Sequence, residues 1–286
     1  MNCRPLMVMP FLAAALFLAP GSQAASASAE AGVAAQLEQA ANGDWRSAAH
    51  KARNQYRHPV KTLMFFGIRP DMTVIELNPG GGGWYTEILA PFLHEHGTLI
   101  EPVIPGKDAG RYARHAYKAF KEKIEANPEL YGSIKLIPAF SENNPKLGPP
   151  NSADMVVTFR NVHDYLNAGP EVLAALFKAA YEVLKPGGVF GITDHRALPA
   201  ADAVEVADKL HRITEDYVIN AGLAAGFRLA GVSQVNANPK DPHDIPIFRL
   251  PPALSGPESE HAKMKAIGES DRMTIKFVKP QSARSR

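Results

Sequence analysis

Four consecutive glycines, Gly80 to Gly83, stand between a β-rich apolar stretch and a stretch of helical spacing, and this junction most limits what the chain can fold into. It reads Val74-Ile75-Glu76-Leu77-Asn78-Pro79-Gly80-Gly81-Gly82-Gly83-Trp84-Tyr85-Thr86. Glycine allows positive φ and close backbone approach to a ligand. A helix starting directly afterwards points unpaired N–H groups at that ligand. A strand, a glycine turn and a helix in this order predict an open α/β sheet that binds its ligand beyond the strand ends.

The alternation continues along the chain. Strands are expected at Thr73–Leu77, Thr98–Ile104, Ser133–Ile137, Met155–Phe159, Val189–Thr193, Phe227–Val232 and Met273–Val278. Helices are expected at Trp84–Leu93, Asp108–Ala126, Glu171–Leu184 and Val204–Gly222, with Lys185-Pro186-Gly187-Gly188 stopping the third of these. The fold class is therefore α/β, a doubly wound Rossmann-like sheet of about seven strands with an N-terminal helical extension. The long Pro- and His-containing stretch 236–272 reads as a loop or lid.

Ahead of this domain, Arg4 precedes an apolar run from Leu6 to Ala19, and Pro20-Gly21 then interrupts it. The run is shorter than the roughly 20 residues that span a bilayer. It reads as a signal peptide over residues 1–24, cut after Ala24, giving a periplasmic or secreted protein without a stable membrane span. Residues 25–58 read as a linker and short helices, Ala34–Ala41 and Asp44–Gln55, the latter capped by Asp44. The main domain covers 59–280, and 281–286 form a tail. The single cysteine, Cys3, lies in the leader, so cysteine-ligated zinc is excluded from the mature chain. The net charge of +2 gives no reason to expect a nucleic-acid partner. The composition says nothing about oligomeric state.

An acidic residue just before the glycines fits an adenosylmethionine site, because its carboxylate can accept from the ligand's ammonium group. A dinucleotide site fits less well, since its acidic residue is expected after the second strand. On these residues the chain resembles the class I S-adenosylmethionine-dependent methyltransferases. Glu76 matches the acidic position of that family's first motif, Gly80 and Gly82 match its later glycines, and Asn78 stands where the first glycine is usual. Asp154–Phe159 and Leu184–Gly188 resemble the fourth-strand motif and the corner before the fifth strand. Arg160-Asn161-Val162-His163-Asp164, Asp194-His195-Arg196-Ala197 and Gly268-Glu269-Ser270-Asp271-Arg272 are similar to a group of exported bacterial predicted methyltransferases.

The resemblance implies S-adenosyl-L-methionine as cofactor, with Glu76, Asn78, Gly80, Gly82, Tyr85, Glu101 and Asn161 as contacts and no metal. The acceptor is expected to be a small molecule or an exported protein; the alternative is a methyltransferase-like binding protein without activity. His163 is the candidate general base, because imidazole titrates near neutral pH. Asp164 or Asp194 is its candidate orienter, and Arg160 a candidate anion holder. His195 lies on the same rim; as neighbours in an extended segment, Asp194 and His195 should face opposite ways.

Overall fold

The structure is a computed structural model that describes residues 20–102, 110–137 and 145–281. The expected leader falls outside the described residues up to position 19. Helix α1 (Pro20–Ala41) then runs straight through the stretch expected to be a linker. Alanine has the highest helix propensity, so an Ala-rich segment with one apolar stripe is helical once that stripe has a partner. The stripe is Val33, Leu37, Ala40 and Ala41, packed against α4 (Pro59–Phe66) and α5 (Thr86–Leu93).

Between α1 and α4 lie two single turns, α2 (Ala48–Lys51) and α3 (Asn54–Arg57), rather than one helix; Ser47, not Asp44, caps the first. They are fastened to α5 through Glu87. Trp45 Nε1 donates to its carbonyl at 2.8 Å, and Arg46 Nε and His50 Nδ1 lie 3.1 and 2.9 Å from its carboxylate. Arg46 and Arg57 also each set a guanidinium carbon 4.6 Å from the Trp84 ring centre.

The main domain alternates strand and helix as expected. In chain order the elements are β1 (Thr73–Leu77), α5, β2 (Thr98–Pro102), α6 (Arg111–Ala126), α7 (Pro128–Tyr131) and β3 (Lys135–Ile137). Then follow β4 (Ala153–Phe159), α8 (Val162–Ala168), α9 (Pro170–Val183), β5 (Leu184–His195), α10 (Ala203–Leu210), α11 (Glu215–Ala224), β6 (Arg228–Ser233), α12 (Glu258–Ile267) and β7 (Arg272–Val278). The seven strands form one sheet in the order β3-β2-β1-β4-β5-β7-β6. Strands β1 to β5 are parallel, whereas β7 runs antiparallel between β5 and β6. One apolar cluster, around Leu176, Phe177, Phe190 and Phe277, fills the α9 face, and another, around Leu63, Phe66, Ile88 and Val157, fills the α4–α5 face. The strand order reverses between β1 and β4, which opens a crevice at their carboxyl ends.

Further expectations need correction. The helix expected over Val204–Gly222 is broken between α10 and α11: His211 takes φ 54°, Arg212 buries its guanidinium on Asp241 at 2.8 and 3.0 Å, and Ile213 bridges to Arg196 beyond β5. Lys185-Pro186-Gly187-Gly188 does stop a helix, but β5 has already begun at Leu184 and runs through it, held by Gly187 N–H on the Lys279 carbonyl at 2.9 Å. The stretch 236–272 is ordered. It starts on buried Asn236, whose amide donates to Thr62 and Thr274 hydroxyls at 2.9 Å, and contains a 3-10 turn (Ile247–Arg249) and α12. Among the described residues no helix is long and apolar enough to cross a membrane.

Candidate functional site

A cavity of about 440 Å³ lies where the strand order reverses. The glycine turn gives it Asn78, Pro79 and Gly80, and α6 gives an apolar wall of Ala113, Ala116, Tyr117 and Phe120. The segment after β4 supplies Phe159, Arg160, Asn161, His163 and Asp164; Ile247 and Phe248 close the far side.

Within the glycine turn only Gly80 faces this space. Its φ is +68°, and a Cβ placed there meets nothing within 4 Å. A Cβ on Gly81 would instead approach Ala119 at 3.2 Å, so this glycine serves packing, while one on Gly82 would make ordinary contact with the His50 ring at 3.7 Å. Asn78 also takes a positive φ, 48°, as asparagine tolerates better than most residues. Its amide donates to the Tyr165 hydroxyl at 3.1 Å. Asn161 ties the turn to the end of β4, donating to the Leu77 carbonyl at 2.9 Å and the Asn78 carbonyl at 3.3 Å.

Four of the expected cofactor contacts, Glu76, Gly82, Tyr85 and Glu101, do not border the cavity. Glu76 and Glu101 are buried side by side, because Ile75 pairs with Ile100 in the parallel register of β1 and β2. Thr86 Oγ1 donates to Glu76 at 2.8 Å, and the two carboxyls hydrogen-bond to each other. Burial raises both above the ordinary carboxyl value. Glu101 is raised well above it, because the Glu76 charge and the shared proton add to burial. Tyr85 is likewise internal: it stacks on Phe159 with ring centres 3.4 Å apart, and its hydroxyl donates to the Arg57 carbonyl at 3.2 Å. Burial pushes that hydroxyl up to about 12.

The candidate catalytic residues do converge. Asp194, wholly buried, accepts from the His163 backbone N–H at 2.9 Å and contacts His163 Nδ1 at 2.8 Å. It also accepts from the His195 backbone N–H at 2.7 Å. His163 Nε2 is thereby turned towards Asp164, 3.3 Å away. Burial opposes charge on the His163 ring, but Asp194 and then Asp164 outweigh it and raise its pKa above the usual imidazole value. The His195 ring stands edge-on to His163, with centres 5.4 Å apart. Its Nε2 accepts from Arg160 Nε at 3.1 Å, which leaves Nδ1 to donate to Ser270 Oγ at 2.5 Å. Burial first, then Arg160 and His163, push it well below the usual value. Arg160 has φ 66°, and burial with Arg272 and Arg53 lowers it to about 10.

Sequence reasoning did not single out Arg53, Arg57 or His211 as site residues. Arg53 and Arg57 join Arg272 around the buried Glu269 carboxylate behind Arg160. Burial opposes charge on Glu269, yet the three guanidiniums outweigh it and bring it down to about 2. The segment Gly268–Arg272, quoted above only as part of a resemblance, was the available signal: it supplies Glu269, Ser270 and Arg272 to this region. His211 had no signal, since only the break between α10 and α11 brings it to α8.

The cavity fits adenosylmethionine in part. Gly80 leaves room for close backbone approach, Pro102 and α6 give an apolar wall, and Arg160 supplies a cation for a carboxylate. Asp164 is the acidic residue on its lining, whereas Glu76 and Glu101 are not among the lining residues.

No family model matches the chain, and no curated protein sequence matches it. Solved structures do. A SAM-dependent methyltransferase from Aquifex aeolicus is 16% identical with TM-score 0.51, covering 86% of this chain and 97% of its own. The cyclase SpnF is 13% identical with TM-score 0.55, covering 84% and 86%. A SAM-dependent methyltransferase from Methanosarcina mazei is 12% identical with TM-score 0.50, covering 77% and 98%. At such identities the likeness is one of fold, and it is a Rossmann-like fold of the kind seen in class I methyltransferases that this chain shares.

Proposed function

We propose that this protein is an S-adenosylmethionine-dependent methyltransferase whose acceptor binds on the His163 side of the cavity. The observation that carries the reading is the placement of the Gly80 turn and the Asp194-held His163 on the lining of one cavity at the switch point of the sheet. Bound adenosylmethionine supplies an electrophilic sulfonium methyl group. Asn78 and Gly80 would hold it along the backbone, Pro102 and α6 would cover its apolar part, and Arg160 would take its carboxylate.

On the acceptor side the chain positions and activates the nucleophile. Asp194 fixes the His163 ring through Nδ1 and leaves Nε2 as the activating atom. Asn161 keeps the glycine turn at a set distance from this group by bonding Leu77 and Asn78. Phe159, Ile247 and Phe248 give the acceptor an apolar wall. A cavity of about 440 Å³ supports a small molecule, or one side chain of an exported protein, as acceptor. The leader-like segment from Arg4 to Ala24 supports export to a periplasm.

Calorimetric titration of the purified chain with adenosylmethionine and adenosylhomocysteine tests the reading. Saturable micromolar binding is expected. A folded chain that binds neither would sink it and leave the cofactor-free binding protein as the better account.

A further inference from the structure

At the mouth of the cavity, α8 and the end of α10 assemble three donors. His163, Asp164 and His211 each turn one ligating atom to a common region, all within 4.8 Å of one another. Asp164 Oδ1 lies 3.3 Å from His163 Nε2 and 4.0 Å from His211 Nδ1. His211 Nδ1 is buried and has no hydrogen-bond partner among the described residues. A buried ring nitrogen left in that state costs free energy that a bound cation would recover. On the other side of the cluster, Asp194 holds His163 Nδ1 at 2.8 Å. That is the carboxylate–imidazole arrangement that fixes the orientation and raises the basicity of a metal-bound histidine.

We propose that His163 Nε2, Asp164 and His211 Nδ1 form a site for one divalent cation of the class that accepts imidazole nitrogen, with zinc as its reference member. A tetrahedral zinc ion with bonds of about 2.0–2.2 Å needs its ligand atoms roughly 3.3 Å apart. Asp164 is 57% and His211 29% exposed in their side chains, so both can move the short distances required towards His163, which Asp194 holds in place. Asp164 and Asp194 set two carboxylates against His163, and their charges favour a cation there while Arg160 opposes it. Phe248 packs on the His211 ring, centres 4.7 Å apart. His163 and Asp164 line the cavity, so the remaining coordination positions open into it. There they suit an oxygen acceptor, whose hydroxyl proton passes to water at a lower pH once the oxygen is bound to the ion. This catalytic role rests on the methyltransferase reading; the ion site does not.

The test is zinc titration, by calorimetry, of the chain prepared without a polyhistidine tag and without adenosylmethionine. The variants are Asp164→Asn and His211→Gly, glycine being chosen because residue 211 sits at φ 54°. The expected result is one zinc per chain, bound at least about tenfold more weakly by each variant, with adenosylmethionine affinity unchanged in His211→Gly, whose residue does not line the cavity. Equal zinc affinity in all three proteins, or no stoichiometric zinc on folded wild type, would overturn the proposal. Zinc binding that is lost in the variants, while none of the three binds adenosylmethionine, would keep the ion site and remove the methyltransferase reading.

Discussion

The β1–β2 side and the β4–β5 side of the cavity both end their strands in fully buried acidic residues, and they accommodate them in opposite ways. Glu76 and Glu101 answer each other: two carboxyls with Thr86 as company and, among the described residues, no cation in contact, so a proton takes the place of a counter-charge. Asp194 answers to His163 and two backbone N–H groups, and its partner reaches the cavity. A shared proton makes a closed structural joint between strands. An imidazole partner instead passes the effect of the buried carboxylate outward, to Nε2 on the lining. Similar strand-end acids therefore do different work, according to which element packs on them.

The largest test of this contrast is Asp194→Ala. It leaves His163 and two N–H groups without their acceptor, so unfolding free energy in urea should fall by about 3–5 kcal/mol. A loss under about 1 kcal/mol would mean that Asp194 is not holding His163 at all, and the contrast would collapse.

The second test is Glu101→Gln. Both folded carboxyls are raised above the ordinary 4.5. Their stability contribution is therefore fully present below pH 4.5 and is lost as pH rises through the folded values. Glutamine cannot ionise and can still donate to Glu76. Thermal melts should show the variant losing less stability than wild type between pH 5 and 8, ending about 2 kcal/mol ahead at pH 8. Parallel profiles would show that no proton is shared.

The smallest effect on folding is expected from Gly80→Ala. The residue sits at φ +68° with open space beyond it, so a methyl group costs about 1 kcal/mol of backbone strain. It should weaken adenosylmethionine binding at least tenfold by calorimetry. Undiminished binding would place the cofactor elsewhere on the rim.

These differences also show what the sequence could convey. β1 was legible because its β-rich run meets glycine, and β2, β4 and β7 were placed to within a few residues. The false helix from Val204 to Gly222 kept its apolar rhythm across His211–Thr214. What breaks it is the Arg212–Asp241 pair, formed across 29 positions. The expected opposite facing of Asp194 and His195 follows from strand geometry alone. That His163 is the partner Asp194 meets does not, since 31 positions separate them. Likewise the meeting of Glu76 and Glu101 depends on a register that no single strand encodes. Local chemistry was readable, whereas pairing across the sheet required the sheet.

The position of β7 bears on how the molecule comes to be made. This strand follows β6 and α12 in sequence, yet it lies between β5 and β6, and residues 269–272, which lead into it, carry Glu269, Ser270 and Arg272 to the site. During synthesis the facing edges of β5 and β6 must wait unpaired until β7 has left the ribosome. The sheet is thus completed by long-range pairing, which makes folding slow relative to a helical chain of similar size. Ribosomal products that stop before residue 269 lack the Ser270 hydroxyl that meets His195 and the Glu269 carboxylate that gathers the arginines, so a half-made chain has no half-working site.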